Sequence, residues 1–460
     1  MLDQSVLDRF VESCPAPVMI RATLENLLPP ERLDQIFEDY RTRQYQQDMF
    51  FSDLVAVMSA VATRTHASVH KSYLASQRKL NVSPEAVYAK LRRLEPDVTA
   101  GLIRETAVDA AGAIDAMPGA RKTVLGGFEV FFLDGNHLAG TEHRIAELRR
   151  TREGALPGQT LALLDAQREL VTELVPGEDG HAQERSLLPE LLKRIRAQTV
   201  LVADRNFCTT KFLFGLRRAG AFFIIRQHAS TLNWETLGKR KRIGRVATGV
   251  AYEGEVALRE GTKADAEVMR ARRITIELDE TTEDGETEIH VLTNLTPEQA
   301  DAKRIAEAYR ARWTIEGVFQ KLTDVLRCEV RTLGYPKAAL FSFAVAVLAW
   351  NVYAVAKAAL RAAHGQERIE ETFSDDHFIT HVVSIKVGMD IAVEPRAWDR
   401  YRLLSPAGLG RELLRLARSV NLSRYPKKKR GPKKPKPKRK SGQRNHHIST
   451  ARLLAETRSK

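Results

Sequence analysis

Two apolar runs that each close on an aspartate constrain this chain more than any other feature. They are Phe131-Phe-Leu-Asp134-Gly-Asn-His and Thr199-Val-Leu-Val-Ala-Asp204-Arg-Asn-Phe. Runs of this length and composition read as buried strands of an α/β sheet, with the acid at or near the carboxyl end. Ligands of open α/β sheets gather at that end. A lone aspartate there serves equally well as a helix N-cap or turn former.

A third segment adds to the pair. In Tyr309-Arg-Ala-Arg312-Trp-Thr-Ile-Glu316, the residues Tyr309, Arg312 and Glu316 are three and four apart. On a helix they share one stripe. Arginine recognises phosphate in a planar, bidentate way, and glutamate supplies a hard oxygen ligand. The same spacing also fits an ordinary amphipathic helix with a polar face. With the two strand-end aspartates, it provides three carboxylates. If they converge they repel one another unless a divalent cation sits between them, the ground plan of a two-metal phosphoryl-transfer site.

These motifs together resemble bacterial insertion-sequence transposases of the DDE class. The closer resemblance is to the insertion-sequence-4 family, with the signature Tyr-x2-Arg-x3-Glu-x6-Lys. It covers most of the chain from about Thr123 to Tyr353. Asp134 and Asp204 match the two aspartates; Tyr309, Arg312 and Glu316 match the third motif in type and spacing. The resemblance implies catalysis and metal binding by Asp134, Asp204 and Glu316, with two Mg²⁺ ions and Mn²⁺ as a substitute. It implies DNA contacts by Tyr309, Arg312, Thr323, Arg205 and the basic cluster Lys239, Arg240, Lys241 and Arg242. The partners implied are double-stranded DNA, as transposon ends and target, and a second copy in a synaptic dimer. The activity implied is metal-dependent cleavage and strand transfer in a bacterial cytoplasm, close to the nucleoid. One position departs from the signature: its lysine falls on Thr323. Lys321 points about 140° away on a regular helix and reads as spare. The departure leaves a second reading open, a catalytically impaired DNA-binding protein derived from a transposase.

The pattern around the motifs is mixed. Residues 1–120 read as an all-helical, DNA-binding region, with candidate helices at 6–11, 30–40, 51–63 and 84–94. Ser83-Pro84-Glu-Ala is a clear helix start, and Lys90, Arg92 and Arg93 give that helix a basic side. It reads equally as a recognition helix or a solvated one. Strand candidates at 124–133, 161–165 and 170–175 precede a helical stretch over about 181–196, the Asp204 strand, a helix over 211–218 and a strand over 221–226. Spacing shows a mixed α/β domain. The resemblance implies a ribonuclease-H-like mixed sheet, its first part over 121–230 and its second over 298–365, separated by a β-rich insertion at 231–297. Trp234, at the head of that insertion, fits base stacking or plain packing. A helical region over 366–423 follows.

Hydrophobic content of 43% supports sizeable cores. Residues 338–356 form an apolar stretch near membrane-spanning length, but its Ser342, Asn351 and Tyr353 favour a buried core helix. Cys14, Cys208 and Cys328 have no metal-ligand spacing, which fits a reducing compartment, and the amino terminus has no signal-peptide pattern. Net charge is +14, and residues 424–440 alone hold eleven Lys or Arg and no acid. Residues 424–460 carry the whole excess and read as a disordered basic tail that contacts nucleic-acid phosphates, or as a solubility tail.

Overall fold

The computed structural model of the chain describes residues 5–46, 48–122, 125–228, 230–261, 265–282, 285–428 and 447–458. The strands are β1 (Glu129–His137), β2 (Gly154–Leu156), β3 (Gln159–Asp165), β4 (Val171–Gly177), β5 (Thr199–Ala203), β6 (Phe222–Arg226), β7 (Asn233–Val246), β8 (Gly249–Glu260), β9 (Glu267–Leu278), β10 (Glu288–Thr293) and β11 (His447–Ser449). Nine of them form one mixed sheet in the order β4-β3-β1-β5-β6-β10-β9-β8-β7. The β1–β5 and β5–β6 pairs are parallel, and the other pairs of this sheet are antiparallel.

The aspartate-bearing strands are buried on both faces, which is why they read as continuous apolar runs. Along β1, Val130 and Phe132 enter one core, while Phe131 and Leu133 enter the other. β1 starts later and ends later than the expected 124–133, whose residue 124 lies outside the described residues. Gly127, at φ +88°, turns the chain just before it. Pairing with β3 then carries the strand through Asp134 to His137, opposite Gln159. Asp134 is thus inside a strand, although the ladder with β5 stops at Leu133↔Ala203.

The segment expected as a β-rich insertion extends the same sheet: β10 pairs with β6, and β9, β8 and β7 follow outward. The basic cluster 239–242, expected just ahead of the strands, lies within edge strand β7. Register shifts next to Lys241 and Arg242 interrupt that strand, with Gly238 and Gly244 at positive φ. Charge and bulges are common on exposed edges because they discourage pairing with another chain.

One face of the sheet is covered by the helices of residues 6–115 and by the 29-residue helix Pro336–His364 in a shared core. That long helix is apolar enough to cross a membrane by length and composition, but 94% of its most apolar window is buried inside the protein. Polar anchors fix its register. Asn351 accepts from Val171 N at 2.9 Å and donates to Val171 O at 2.8 Å, and Trp350 Nε1 donates to Glu169 O at 2.9 Å. Deeper still, the Glu169 carboxylate meets Lys357 at 3.3 Å and Arg361. Lys357, Lys321 and the Tyr353 hydroxyl converge on Asp375. The cations around Glu169 outweigh its burial and hold its carboxyl far below the usual range.

The disordered-tail expectation needs correction at both ends. Tyr425 is buried against Phe373 and Phe378, and Lys427 N donates to Thr372 O at 2.8 Å. Beyond the basic run, β11 pairs in parallel with β2, and the helix Thr450–Arg458 rests Leu453 and Leu454 against Ile145, Leu148 and Ala155. An apolar patch under residues 447–458 outweighs the high charge nearby. The expected tail's residues 429–446 lie outside the described residues.

Removing one partner of a buried ion cluster strands the others, at a cost of about 3–5 kcal/mol. Glu169→Ala should therefore lower folding stability by that amount, read from denaturant and thermal unfolding. Lys193→Ala, which breaks an exposed pair with Glu190, should cost less than about 1 kcal/mol.

Candidate active site

The parallel register sets the first two acids side by side. Leu133 is opposite Ala203, so Asp134 and Asp204 follow at matched positions on adjacent strands. Ala203 is in turn opposite Ile225 of β6, which brings Arg226 level with Asp204. Asp204 occupies the N-cap position of the 3₁₀ turn Arg205–Phe207, yet its side chain caps nothing. The simple capping explanation therefore does not account for its carboxylate. The Tyr309 hydroxyl donates to Asp204 Oδ1 instead, at 3.4 Å.

Helices Ala302–Ala311 and Trp313–Asp324 meet at Arg312, which keeps α-helical dihedrals. The run is close to one continuous helix, so Tyr309, Arg312 and Glu316 stay on one stripe. Arg312 is buried, at 5% exposure. Its guanidinium donates to Asp134 Oδ2 at 3.4 Å and pairs with Glu316 Oε1 at 2.8 Å. Its Nε is buried without a partner. The structure thus links Asp134 to Glu316 through Arg312 and Asp204 to Tyr309. Among the described residues, no group of three or more His, Cys, Asp or Glu is arranged to hold a metal ion.

Electrostatics favour a cation here. Burial pushes the Asp134 carboxyl up to about 7; the Arg312 charge opposes this, while Glu316 and Glu184 add to it. An Arg312 contact as long as 3.4 Å is too weak to reverse the loss of hydration. Burial and the Asp204 charge likewise push the Tyr309 hydroxyl up to about 12. The residues present are hard oxygen donors, one of them short of positive charge, and so fit a divalent cation.

The other expected DNA contacts are scattered. Arg205 pairs with Glu286 at 3.1 Å, beside the Arg226–Glu286 pair. Lys239, Arg240, Lys241 and Arg242 lie on β7, five strands from β5 and therefore roughly 24 Å across the sheet. Arg240 is engaged with Glu277 and the Tyr252 ring. Thr323 turns its hydroxyl back to Phe319 O at 3.1 Å. Arg64 brings a cation to this end of the helix, donating to the carbonyls of Thr323 and Asp324 at 3.2 and 2.9 Å. Trp234 packs partly against the second core, under Arg273. Lys321 is not spare, since its ammonium pairs with Asp375. Sequence reasoning missed Glu184, Asn206 and Arg226; only Arg226, the last residue of an expected strand beside β5, had a usable signal.

Residues 126–352 match the family model described as the transposase DDE domain. The match takes in Asp134, Asp204, Tyr309, Arg312 and Glu316. It leaves out the helices of residues 6–115 and everything after residue 352. No curated protein matches the chain.

The raised Asp134 carboxyl predicts a pH dependence. A group whose folded pKa is about 7, against about 4 unfolded, binds a proton more tightly in the folded state. Its stabilising contribution is present at pH 4 and is lost as pH rises through 7. Without added metal, Asp134→Asn should therefore melt higher than the parent at pH 8, by an amount on the order of a few kcal/mol at most. The difference should shrink towards pH 4.5, as read by thermal unfolding across pH.

Proposed function

We propose that this protein is a transposase that cuts and rejoins the DNA ends of its own insertion sequence, with Asp134, Asp204 and Glu316 as the cation-binding carboxylates. The observation that carries the reading is the register: Asp134 and Asp204 stand at matched positions on parallel neighbours, and Arg312 ties Glu316 to the first of them. The match to a transposase DDE domain over residues 126–352 supports it. The fold reading is ribonuclease-H-like, with residues 231–297 as the β-rich insertion and residues 1–120 as a helical DNA-binding region. The finer assignment is the insertion-sequence-4 family.

When bound, divalent ions such as Mg²⁺ or Mn²⁺ would stabilise charge on the attacking and leaving oxygens of a phosphodiester. The chain's own groups position the substrate. The Arg312 guanidinium, held between Asp134 and Glu316, is a planar donor of the kind that meets a phosphate. The Tyr309 hydroxyl stays protonated at neutral pH and can donate a hydrogen bond. Asp134 and Asp204 present their carboxylates at the same end of the sheet. A second copy in the synaptic complex belongs to the same proposal.

The test is cleavage of duplexes carrying the terminal repeats that flank the gene, followed by strand transfer. Alanine at Asp134, Asp204 or Glu316 should lower Mg²⁺-dependent cleavage by roughly 10²–10³-fold, the loss expected when one source of transition-state charge stabilisation is removed. DNA binding should persist. Near-normal cleavage by Asp204→Ala would sink the assignment.

The basic run can be tested without disturbing the anchors on either side. Replacing the eight Lys and Arg of residues 429–440 with Gln leaves Tyr425 and residues 447–458 in place. The plot of log affinity against log salt should become shallower by about 0.9 for each phosphate that the variant no longer neutralises. An unchanged slope would show that the run does not touch DNA.

A further inference from the structure

Glu184 is a fourth carboxylate at the strand ends, and no motif marks it. It opens the 3₁₀ turn Glu184–Leu187 that follows β4. Its Oε2 accepts from Asn206 Nδ2 at 2.6 Å, and Oε1 faces His137 Nε2 at 3.3 Å. His137 lies on β1, three residues after Asp134, and Asn206 lies two residues after Asp204. The carboxylate therefore bridges the two segments that carry the aspartates. A Cβ on Gly135 would stand 2.3 Å from Glu184 Oε1, so the absence of a side chain next to Asp134 makes the space that Glu184 fills. The approach is pinned from behind: fully buried Gln159 donates to Ala182 O at 2.7 Å, and Arg452 pairs with Asp179 at 2.8 Å.

We infer that Glu184 is a positioning residue for the cation site, holding the Asp134 strand against the Asp204 turn and adding its negative charge beside Asp134. This rests on the proposed cation-dependent function. Among the described residues no lysine or arginine pairs with Glu184, and its side chain is 17% exposed. The Asn206 amide bonds to a neutral side chain as well as to a carboxylate, whereas the carboxylate of Glu184 draws the His137 imidazole towards its charged form. A further negative charge near Asp134 raises the cost of the cation-free state and tightens the hold on a cation. Carboxylates behind the direct ligands of a metal typically change its affinity 10–100-fold.

The probe is Mn²⁺ binding to the full chain without DNA, followed by electron paramagnetic resonance and by calorimetry. Glu184→Gln keeps the shape and the Asn206 bond but removes the charge. It should weaken Mn²⁺ binding about tenfold with an unchanged melting temperature. Glu190→Gln, on the same segment but paired outward with Lys193 and Arg194, should bind Mn²⁺ like the parent. Glu184→Ala loses both charge and bridge and should bind more weakly than Glu184→Gln; if it fails to fold, the glutamine variant decides alone. Parent-like Mn²⁺ affinity in Glu184→Gln overturns the inference, whatever its melting temperature, because a purely structural link predicts that result. Parent-like affinity in Asp134→Asn, or no Mn²⁺ uptake by the parent, overturns the cation site itself and Glu184's role with it.

Discussion

The parallel pairing of β1 with β5 is the constraint on which the rest depends. Parallel strands require a crossover, and here the chain from β1 to β5 makes an antiparallel excursion through β3 and β4 before it returns. A slip of one residue would send Asp134 or Asp204 to the opposite face of the sheet. The register is held because alternate residues of both strands enter different cores, Val130 and Val200 on one side and Phe131 and Leu201 on the other. Slipping would bury nothing new and would expose apolar surface at about 25 cal/mol per Å². Two adjacent carboxylates are thus maintained by hydrophobic burial on both faces, not by any attraction between them.

Arg312 completes that arrangement, and its position explains the electrostatics of the site. A buried guanidinium is stable only with carboxylate partners, and buried carboxylates need a cation. Glu316 lies on the same helix run as Arg312 and makes the shorter contact, whereas Asp134 has to be reached across from the sheet. The cation is therefore shared unequally, which leaves the Asp134 carboxyl pushed up to about 7. Arg226, level with Asp204, is drawn off towards Glu286. Positive charge fixed in the protein balances only part of the acid at the strand ends.

Much of this was legible in the sequence wherever the signal is local. Apolar runs gave the two buried strands because both faces are covered, and the three-and-four spacing gave the stripe because Arg312, where two helices meet, keeps α-helical dihedrals. Glu184 was not legible. It lies in a stretch read as one helix over 181–196, which the structure resolves into a 3₁₀ turn and the short helix Leu188–Leu192. Its partners Gly135, His137 and Asn206 are near only once the sheet has formed. Residues 447–458 were misread for a related reason. The preceding run of lysines dominates any local average, whereas what holds the segment is a patch of Ile145, Leu148 and Ala155 far back in the chain. Lys321 appeared spare because helical geometry turns it away from Glu316. It does turn away, into the buried ion cluster around Asp375.

Charge is divided across the molecule in opposite senses. The strand ends concentrate acid, with Asp134, Asp204 and Glu316 around Arg312 and Glu184 beside Asp134, and a polyanion would meet repulsion there. Most of the excess positive charge lies in the run after Arg424, whose flanks are both attached to the protein, by Tyr425 on one side and β11 on the other. The second attachment reaches the site's own support, because Arg452 pairs with Asp179 on the loop that leads to Glu184. Positive and negative charge are thus concentrated in separate parts of the chain, and under the proposed function a bound cation would lower the repulsion that the acidic strand ends present to a phosphate backbone.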